Sequence, residues 1–265
     1  MNVFVKELKF GVKVFLLWAM VLAVFIVAGT VKYSGVESGG AAMTELIGSF
    51  PRIVLAVMGF AHVDLTSFGG FYGALQIYAM VVVAVYAIHL GRNAVSREQI
   101  DKTYEFLFVK PRSRAAILGQ KLAACIVFLV GISALNFVFS AAAYPTLGLS
   151  EDMTVSFVFF SGALLVIGLV FLSLSMLFAA LTKHPETGAF IGNLSIVVCY
   201  LIGVAYDMVA NGMVLRVFTP FRYFDPNMLL DHQIDPLFLG LSFAVIVVSS
   251  VVTFRVFSKR DLAVA

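Results

Sequence analysis

The segment at residues 96–121 reads SREQIDKTYEFLFVKPRSRAAILGQK and separates the second and third apolar stretches of the chain. Ser96 followed by Gln99 has the pattern of a capping box, in which two side chains satisfy each other's backbone amides at a helix start. Pro111 disfavours helical geometry at the residue before it. Between these signals, apolar residues recur at helical spacing on one stripe: Ile100, Tyr104, Leu107 and Phe108. The sequence therefore predicts a short amphipathic helix at about residues 97–110.

Two interpretations of this predicted helix are open. Its polar positions are Glu98, Asp101, Lys102 and Glu105. A helix with one apolar stripe and one charged face can lie passively in the headgroup region of a membrane. It can also dock into a groove on a soluble partner. The pattern alone does not distinguish an interfacial helix from a docking helix.

The rest of the chain is strongly apolar. Hydrophobic residues make up 61% of its 265 residues and charged residues 12%, and its mean hydropathy is +1.01. About 20 apolar residues cross the hydrocarbon core of a bilayer. Six stretches are long enough, at about residues 14–31, 71–91, 116–142, 155–182, 186–207 and 237–257. These features predict an all-α polytopic membrane protein with a single transmembrane domain over residues 1–265.

The distribution of charge predicts the orientation. With both termini cytoplasmic, fourteen of the eighteen Lys and Arg residues fall on the inside, and nine of the fifteen acidic residues fall on the outside. Cytoplasmic loops of membrane proteins carry an excess of Lys and Arg. The net charge of +3 therefore belongs to the inner rim and does not indicate nucleic-acid binding.

Three further elements are predicted beside the spans. Residues 1–13 mix apolar residues with lysines, which predicts an N-terminal interfacial helix. An apolar stretch at residues 43–60, broken by Pro51, predicts a short helix on the outer face. Residues 211–236 are too long for a turn and too apolar for a free loop, which predicts re-entrant extracellular structure. Its aromatic and proline cluster is Phe218, Pro220, Phe221, Tyr223 and Phe224. This cluster suits an extracellular gate or an ordinary aromatic belt.

The motifs of membrane enzymes are missing from the sequence. It has no phosphate-binding loop, no H-E-x-x-H and no G-x-S-x-G. Its four histidines are scattered, and Cys125 and Cys199 lie inside predicted spans, so we expect no catalytic residue and no metal site. No charged residue falls in the middle of a span, which disfavours an ion-coupled carrier. Gln76, Asn136 and Asn193 lie at membrane depth, where hydrogen bonds between helices are their expected role.

The chain resembles an ABC exporter permease of the type-two family, with a type V-like fold. The residues that carry the resemblance around the predicted helix are Glu98, Thr103, Glu105, Leu107, Pro111, Arg114 and Lys121. Two more matches are Pro220-Phe221-Arg222-Tyr223-Phe224 before the last span and Arg260-Asp261-Leu262 after it. Lys102 is a departure, because the family commonly has a small residue there. The resemblance covers the whole chain.

The resemblance implies a permease domain whose cytoplasmic helix is a coupling helix that inserts into a separate ATPase subunit. The residues it assigns to coupling are Glu98, Asp101, Thr103, Tyr104, Glu105, Phe106, Leu107, Pro111 and Arg114. ATP and Mg²⁺ would bind to that partner, so no catalytic residue or cofactor is expected on this chain. The bacterial plasma membrane is the expected location.

The same resemblance implies a homodimer, or a heterodimer with a related permease, whose second and fifth spans line the route. The expected pathway residues are Gln76, Tyr78, Asn193 and Ser195. The expected substrate is a hydrophobic or amphipathic peptide, lipid or drug moved out of the cell. An alternative function is a non-transporting membrane scaffold or sensor that recruits a cytoplasmic partner through the same helix.

Overall fold

The structure, a computed structural model, describes residues 3–101, 113–209 and 212–259. Within these ranges the secondary structure is helical and contains no β-strand. Nine α-helices are present there: α1 (Val3–Gly48), α2 (Arg52–Val57), α3 (Phe68–Ile100), α4 (Arg114–Ala143), α5 (Thr154–Leu181), α6 (Pro185–Met208), α7 (Met213–Val217), α8 (Pro226–Leu230) and α9 (Pro236–Lys259). Two 3₁₀ helices, Tyr144–Leu147 and Pro220–Arg222, lie between them.

Six of the described helices are long and apolar enough to cross a membrane. They are α1 up to Gly40, then α3, α4, α5, α6 and α9, and each matches one of the six predicted stretches, although α5 ends one residue before its predicted stretch does. A helix satisfies all its backbone hydrogen bonds internally, as the hydrocarbon core requires. The prediction of an all-α protein with six spans is therefore confirmed. We call the end of the bundle that carries residues 3–13 and Lys259 the basic end.

Two spans, α3 and α5, form the centre of the bundle. They pack against each other along their lengths, while α1 packs mainly on α4 and α9 packs on α5. Tyr72 of α3 lies against Phe157 and Phe160 of α5, with ring centroids 4.9 and 5.2 Å apart. The peripheral helices α1, α6 and α9 leave large apolar side chains exposed, including Phe190 and Leu201. These exposed faces suit contact with lipid or with a second membrane chain.

A layer of buried polar side chains crosses the centre of the bundle. Gln76 of α3 donates to Asn136 of α4 at 3.3 Å, and Asn136 donates to the Ser161 hydroxyl of α5 at 3.0 Å. The hydroxyls of Tyr72 and Ser140 are 2.7 Å apart. Polar groups in hydrocarbon need partners, so hydrogen bonds between helices are the role of Gln76 and Asn136, as predicted.

The first helix corrects one prediction. It is continuous from Val3 to Gly40, where φ is 49° and the helical geometry breaks. No turn follows Lys13, so residues 3–13 do not form a separate interfacial helix. The first turns are held on the bundle because Glu7 pairs with Arg97 of α3 at 3.3 Å. The Arg97 guanidinium also lies 4.7 Å from the centre of the Phe10 ring.

Prolines mark the starts of short helices at the opposite end of the bundle. Pro51 immediately precedes α2, which confirms the short helix predicted there. The cap segment, which we define as residues 212–235, consists of α7, the second 3₁₀ helix and α8. Pro220 and Pro226 each begin a helical turn, where a missing N–H has no cost. The Asp225 side chain caps α8 by accepting hydrogen bonds from two backbone amides.

Candidate functional site

The coupling segment, which we define as residues 102–112, lies outside the described residues, as do the positions of six predicted coupling residues. These are Thr103, Tyr104, Glu105, Phe106, Leu107 and Pro111. Three others are described: Glu98 and Asp101 at the end of α3, and Arg114 at the start of α4. The structure therefore describes the two helical flanks of this segment.

The predicted capping box is wrong. The helix α3 runs without a break through Ser96 and ends at Ile100, with its N-terminal cap far away at Ser67. An N-cap residue has non-helical backbone angles, whereas Ser96 lies inside a continuous helix. The Gln99 amide instead donates to the backbone carbonyl of Lys183, in the turn between α5 and α6, at 3.0 Å. That turn, at residues 182–184, joins the predicted fourth and fifth spans as a helical hairpin.

A buried ion pair joins the two flanks of the coupling segment. The Lys121 Nζ atom of α4 lies 2.5 Å from Oε1 of Glu98 on α3. The Lys121 side chain is only 2% exposed, and a second carboxylate, Glu7 of α1, lies 4.0 Å away. A buried ammonium requires such partners, because its loss of hydration is otherwise uncompensated. The pair therefore fixes the end of α3 against α4.

Arg97 extends this charge cluster to α1. It bonds to Glu7 at 3.3 Å and lies 3.6 Å from Asp101, one turn along its own helix. Carboxylates and cations thus alternate across the ends of α1, α3 and α4. These ion pairs join the ends of three spans at the two flanks of the coupling segment. Sequence analysis singled out Glu98 and Lys121 but missed Glu7, since it lies 90 residues from its partner.

All five predicted gate residues belong to the cap segment, and four of them are buried. Pro220, Phe221, Tyr223 and Phe224 are buried, whereas Phe218 is 61% exposed. The Phe221 ring stacks on Phe171 of α5 with centroids 5.1 Å apart, and the Tyr223 ring lies 5.2 Å from Phe238 of α9. Burial raises the pKa of the Tyr223 hydroxyl to about 12. This aromatic group therefore closes the end of the bundle over α5 and α9.

One arginine that sequence analysis did not select organises the cap segment. Arg216 donates to the backbone carbonyls of Arg222 at 2.9 Å and Tyr223 at 3.3 Å. It also pairs with Asp235 at 3.4 Å, and its guanidinium lies 3.9 Å from the centre of the Phe238 ring. These contacts satisfy the charge by hydrogen bonding, ion pairing and a cation–π contact. Arg216 thus connects α7, the 3₁₀ turn and α9.

A second ion pair attaches the cap segment to α6. Arg222 bonds to Asp207, whose side chain is 1% exposed, near the end of α6. His62, in the connection between α2 and α3, lies 3.7 Å from the same carboxylate. Asp207 therefore lies where three parts of the chain meet. Opening the cap segment away from α6 requires separating the carboxylate from the guanidinium.

The four expected pathway residues do not come together within the chain. Gln76 is fully buried in the polar layer. Tyr78 points elsewhere and donates to the Met58 carbonyl at 2.7 Å. Asn193 is exposed on α6 and donates to a carbonyl of its own helix, so the hydrogen bond between helices that was expected of it is wrong. Ser195 also donates within α6. The expectation that these residues line one substrate route, between two permease chains, stays a prediction.

No group of three or more His, Cys, Asp or Glu residues in the described part of the chain could hold a metal ion. The ion pairs described above instead form two clusters, at opposite ends of the six spans. That arrangement defines a multi-pass membrane protein with charged groups beyond an apolar core.

The sequence profile of the family described as ABC-2 family transporter protein matches residues 1–262. The chain therefore belongs to this family of transporter membrane proteins. No curated protein matches the chain closely enough to count as a relative.

Proposed function

We propose that the chain is the permease subunit of an ATP-binding cassette exporter whose ATPase is a separate subunit. The observation that carries the proposal is the ion-paired junction on both flanks of the coupling segment, in a chain of the ABC-2 transporter family. ATP and Mg²⁺ bind to the partner, and this chain supplies the route. The excess of basic residues predicts that the junction faces the cytoplasm, where the ATPase is located.

Coupling follows from the contacts at the basic end. A partner that moves the coupling segment displaces the end of α3 and the start of α4 together, because Glu98 and Lys121 hold them in contact. Arg97 passes the displacement to α1 through Glu7. Buried ion pairs resist separation, since each ion would be left uncompensated. The three helices therefore tilt as one unit.

The substrate route is proposed to lie between two permease copies, or between this chain and a related permease. The exposed apolar surface of α6 is the proposed interface, and the expected pathway residues of α6 lie on or beside it. Apolar walls that open to the bilayer suit a hydrophobic or amphipathic peptide, lipid or drug. The cap segment would form the extracellular gate, released from α6 when the pair between Arg222 and Asp207 separates.

The test is purification of the tagged chain from its own membranes in a mild detergent, followed by mass spectrometry of the proteins that co-purify. We expect a Walker-motif ATPase, and we expect its loss in the variants Glu105→Lys and Phe106→Asp. Glu151→Lys is the matched control, since this exposed residue lies in the connection between α4 and α5 at the opposite end. An ATPase retained by both coupling variants would refute the docking role of the coupling segment.

Transport distinguishes the proposal from the scaffold alternative. ATP-dependent movement of a fluorescent amphipathic probe into sealed, inside-out vesicles supports the exporter. Recovery of an ATPase without any ATP-dependent movement, across peptide, lipid and drug probes, would favour a scaffold that only recruits its partner.

A further inference from the structure

A cavity of about 320 Å³ lies at the basic end between α1, α3 and α4. Its lining is partly apolar and includes Val14, Leu90 and Phe128, which we call the apolar wall. The polar lining on α3 includes His89, Arg92 and Asn93, which we call the polar wall. Cavities of about 300 Å³ and above are large enough for small ligands. This one is amphipathic, since both apolar and polar side chains line it.

Arg92 is the unusual member of the polar wall. Its Nε atom is buried and has no hydrogen-bond acceptor, and no carboxylate in the described ranges forms an ion pair with it. The neighbouring polar side chains do not compensate it, because Asn93 and His89 bond to each other at 2.8 Å. A buried donor without an acceptor is destabilising. A bound acceptor in the cavity would remove this penalty.

The other charges that face the cavity are already matched. Arg97 lies between Glu7 and Asp101, and Lys121 bonds to Glu98. The two carboxylates that line the cavity, Glu7 and Asp101, are therefore both paired with a cation, which reduces their repulsion of a bound anion. Arg92 remains as a guanidinium with donors to spare, in the geometry that suits a phosphate.

We propose that this cavity binds a phosphate-bearing group, with the Arg92 guanidinium on the phosphate and the apolar wall against the rest of the ligand. A phospholipid supplies both parts, and the cavity lies between spans at the end that carries most of the basic residues. Basic pockets between transmembrane helices are suited to lipid headgroups. Free phosphate in solution offers the same acceptor without the apolar portion, so the test includes both.

The experiment uses the full chain after removal of lipid by extensive detergent exchange. Phosphatidylglycerol is titrated and bound lipid is counted by native mass spectrometry, and inorganic phosphate is titrated separately by its effect on Tm. We expect Arg92→Gln to weaken the binding of whichever probe binds the unmodified chain by about tenfold or more, the usual scale for a charged hydrogen bond. Arg92→Lys should retain part of the affinity, because the charge is kept without the bidentate fork.

Arg255→Gln is the matched control, since it removes an exposed arginine at the same end of the bundle but outside the cavity. Lipid binding lost in Arg92→Gln and kept in Arg255→Gln supports a lipid source, and the same pattern with phosphate alone supports a soluble one. Equal binding of both probes by Arg92→Gln, Arg255→Gln and the unmodified chain would overturn the proposal. The experiment needs no ATPase, so its failure leaves the exporter proposal untouched.

Discussion

The ammonium of Lys121 and the carboxylate of Glu98 are in direct contact at 2.5 Å, although the two residues belong to different spans on opposite flanks of the coupling segment. Because Lys121 is almost completely buried, this contact is a structural requirement of the basic end. It also gives the proposed coupling route a physical basis, since the flanks cannot move independently without separating an ion pair.

Replacing Lys121 by methionine should destabilise the chain by about 3 kcal/mol, because it leaves the mostly buried carboxylate of Glu98 unpaired. The double variant Lys121→Met, Glu98→Gln should recover part of this loss. Thermal unfolding in detergent measures both. Lys259→Met is the control, as Lys259 is exposed at the end of α9. An equal effect of the two single lysine variants would contradict the role of the ion pair.

Replacing Asn136 by leucine should lower stability by about 1 kcal/mol, since Gln76 and Ser161 each lose a partner inside the bundle. Asn193→Leu makes the same chemical change at an exposed site whose side chain bonds only to its own helix. It should be nearly neutral. Unfolding by a denaturing detergent compares the two, and a larger loss in the Asn193 variant would argue against the polar layer as a stabilising element.

Replacing Gly91 by alanine should separate α3 from α5. A Cβ at this position would lie 2.7 Å from the Leu172 carbonyl oxygen and from Cβ of Ser175, so the loss should be about 1–3 kcal/mol. Gly119→Ala meets nothing within 4 Å and should not destabilise. The measurement is Tm in detergent, and an unchanged Tm for the Gly91 variant would refute the close helix contact.

Replacing Asp207 by asparagine should loosen the cap segment, because Arg222 loses its anionic partner. Accessibility can be measured in a chain whose two native cysteines are replaced by alanine. A cysteine at the buried Phe221 position should react slowly with a membrane-impermeant maleimide, and faster when Asp207 is also changed. A cysteine at the exposed Phe218 position serves as the control and should react at one rate in both backgrounds. Slow reaction of the Phe221 position in both would count against Asp207 as the attachment point.

The spans could be predicted because a membrane-crossing helix is recognised from the hydropathy of about 20 consecutive residues alone. The helix after Pro51 was predictable for the same reason, since proline acts on its immediate neighbours. The capping box failed because Ser96 and Gln99 fit a local pattern while a distant contact, from Gln99 to the Lys183 carbonyl, helps hold the end of α3. A contact between residues so far apart in the chain cannot be predicted from the neighbouring sequence.

The candidate sites show the same division. Glu98 and Lys121 were selected through a family resemblance, whereas Glu7 and Arg216 were missed. The partners of Glu7 and Arg216 lie on other helices or loops. Which residues meet depends on how the helices pack, and a single sequence does not show this. The aromatic residues of the cap segment could be recognised as a cluster, because four of them fall within seven positions, 218–224. Their burial against α5 and α9 required the fold.

The unbroken course of α3 has a mechanical consequence. Its 33 residues form a rod about 50 Å long, which meets the coupling segment at one end and packs against α8 of the cap segment near the other. When a rigid helix tilts about a point near its middle, its two ends move in opposite directions. A tilt of about 5° would carry each end roughly 2 Å in opposite directions. A small push at the basic end would therefore appear as an opposite displacement beneath the cap, with no separate relay between them.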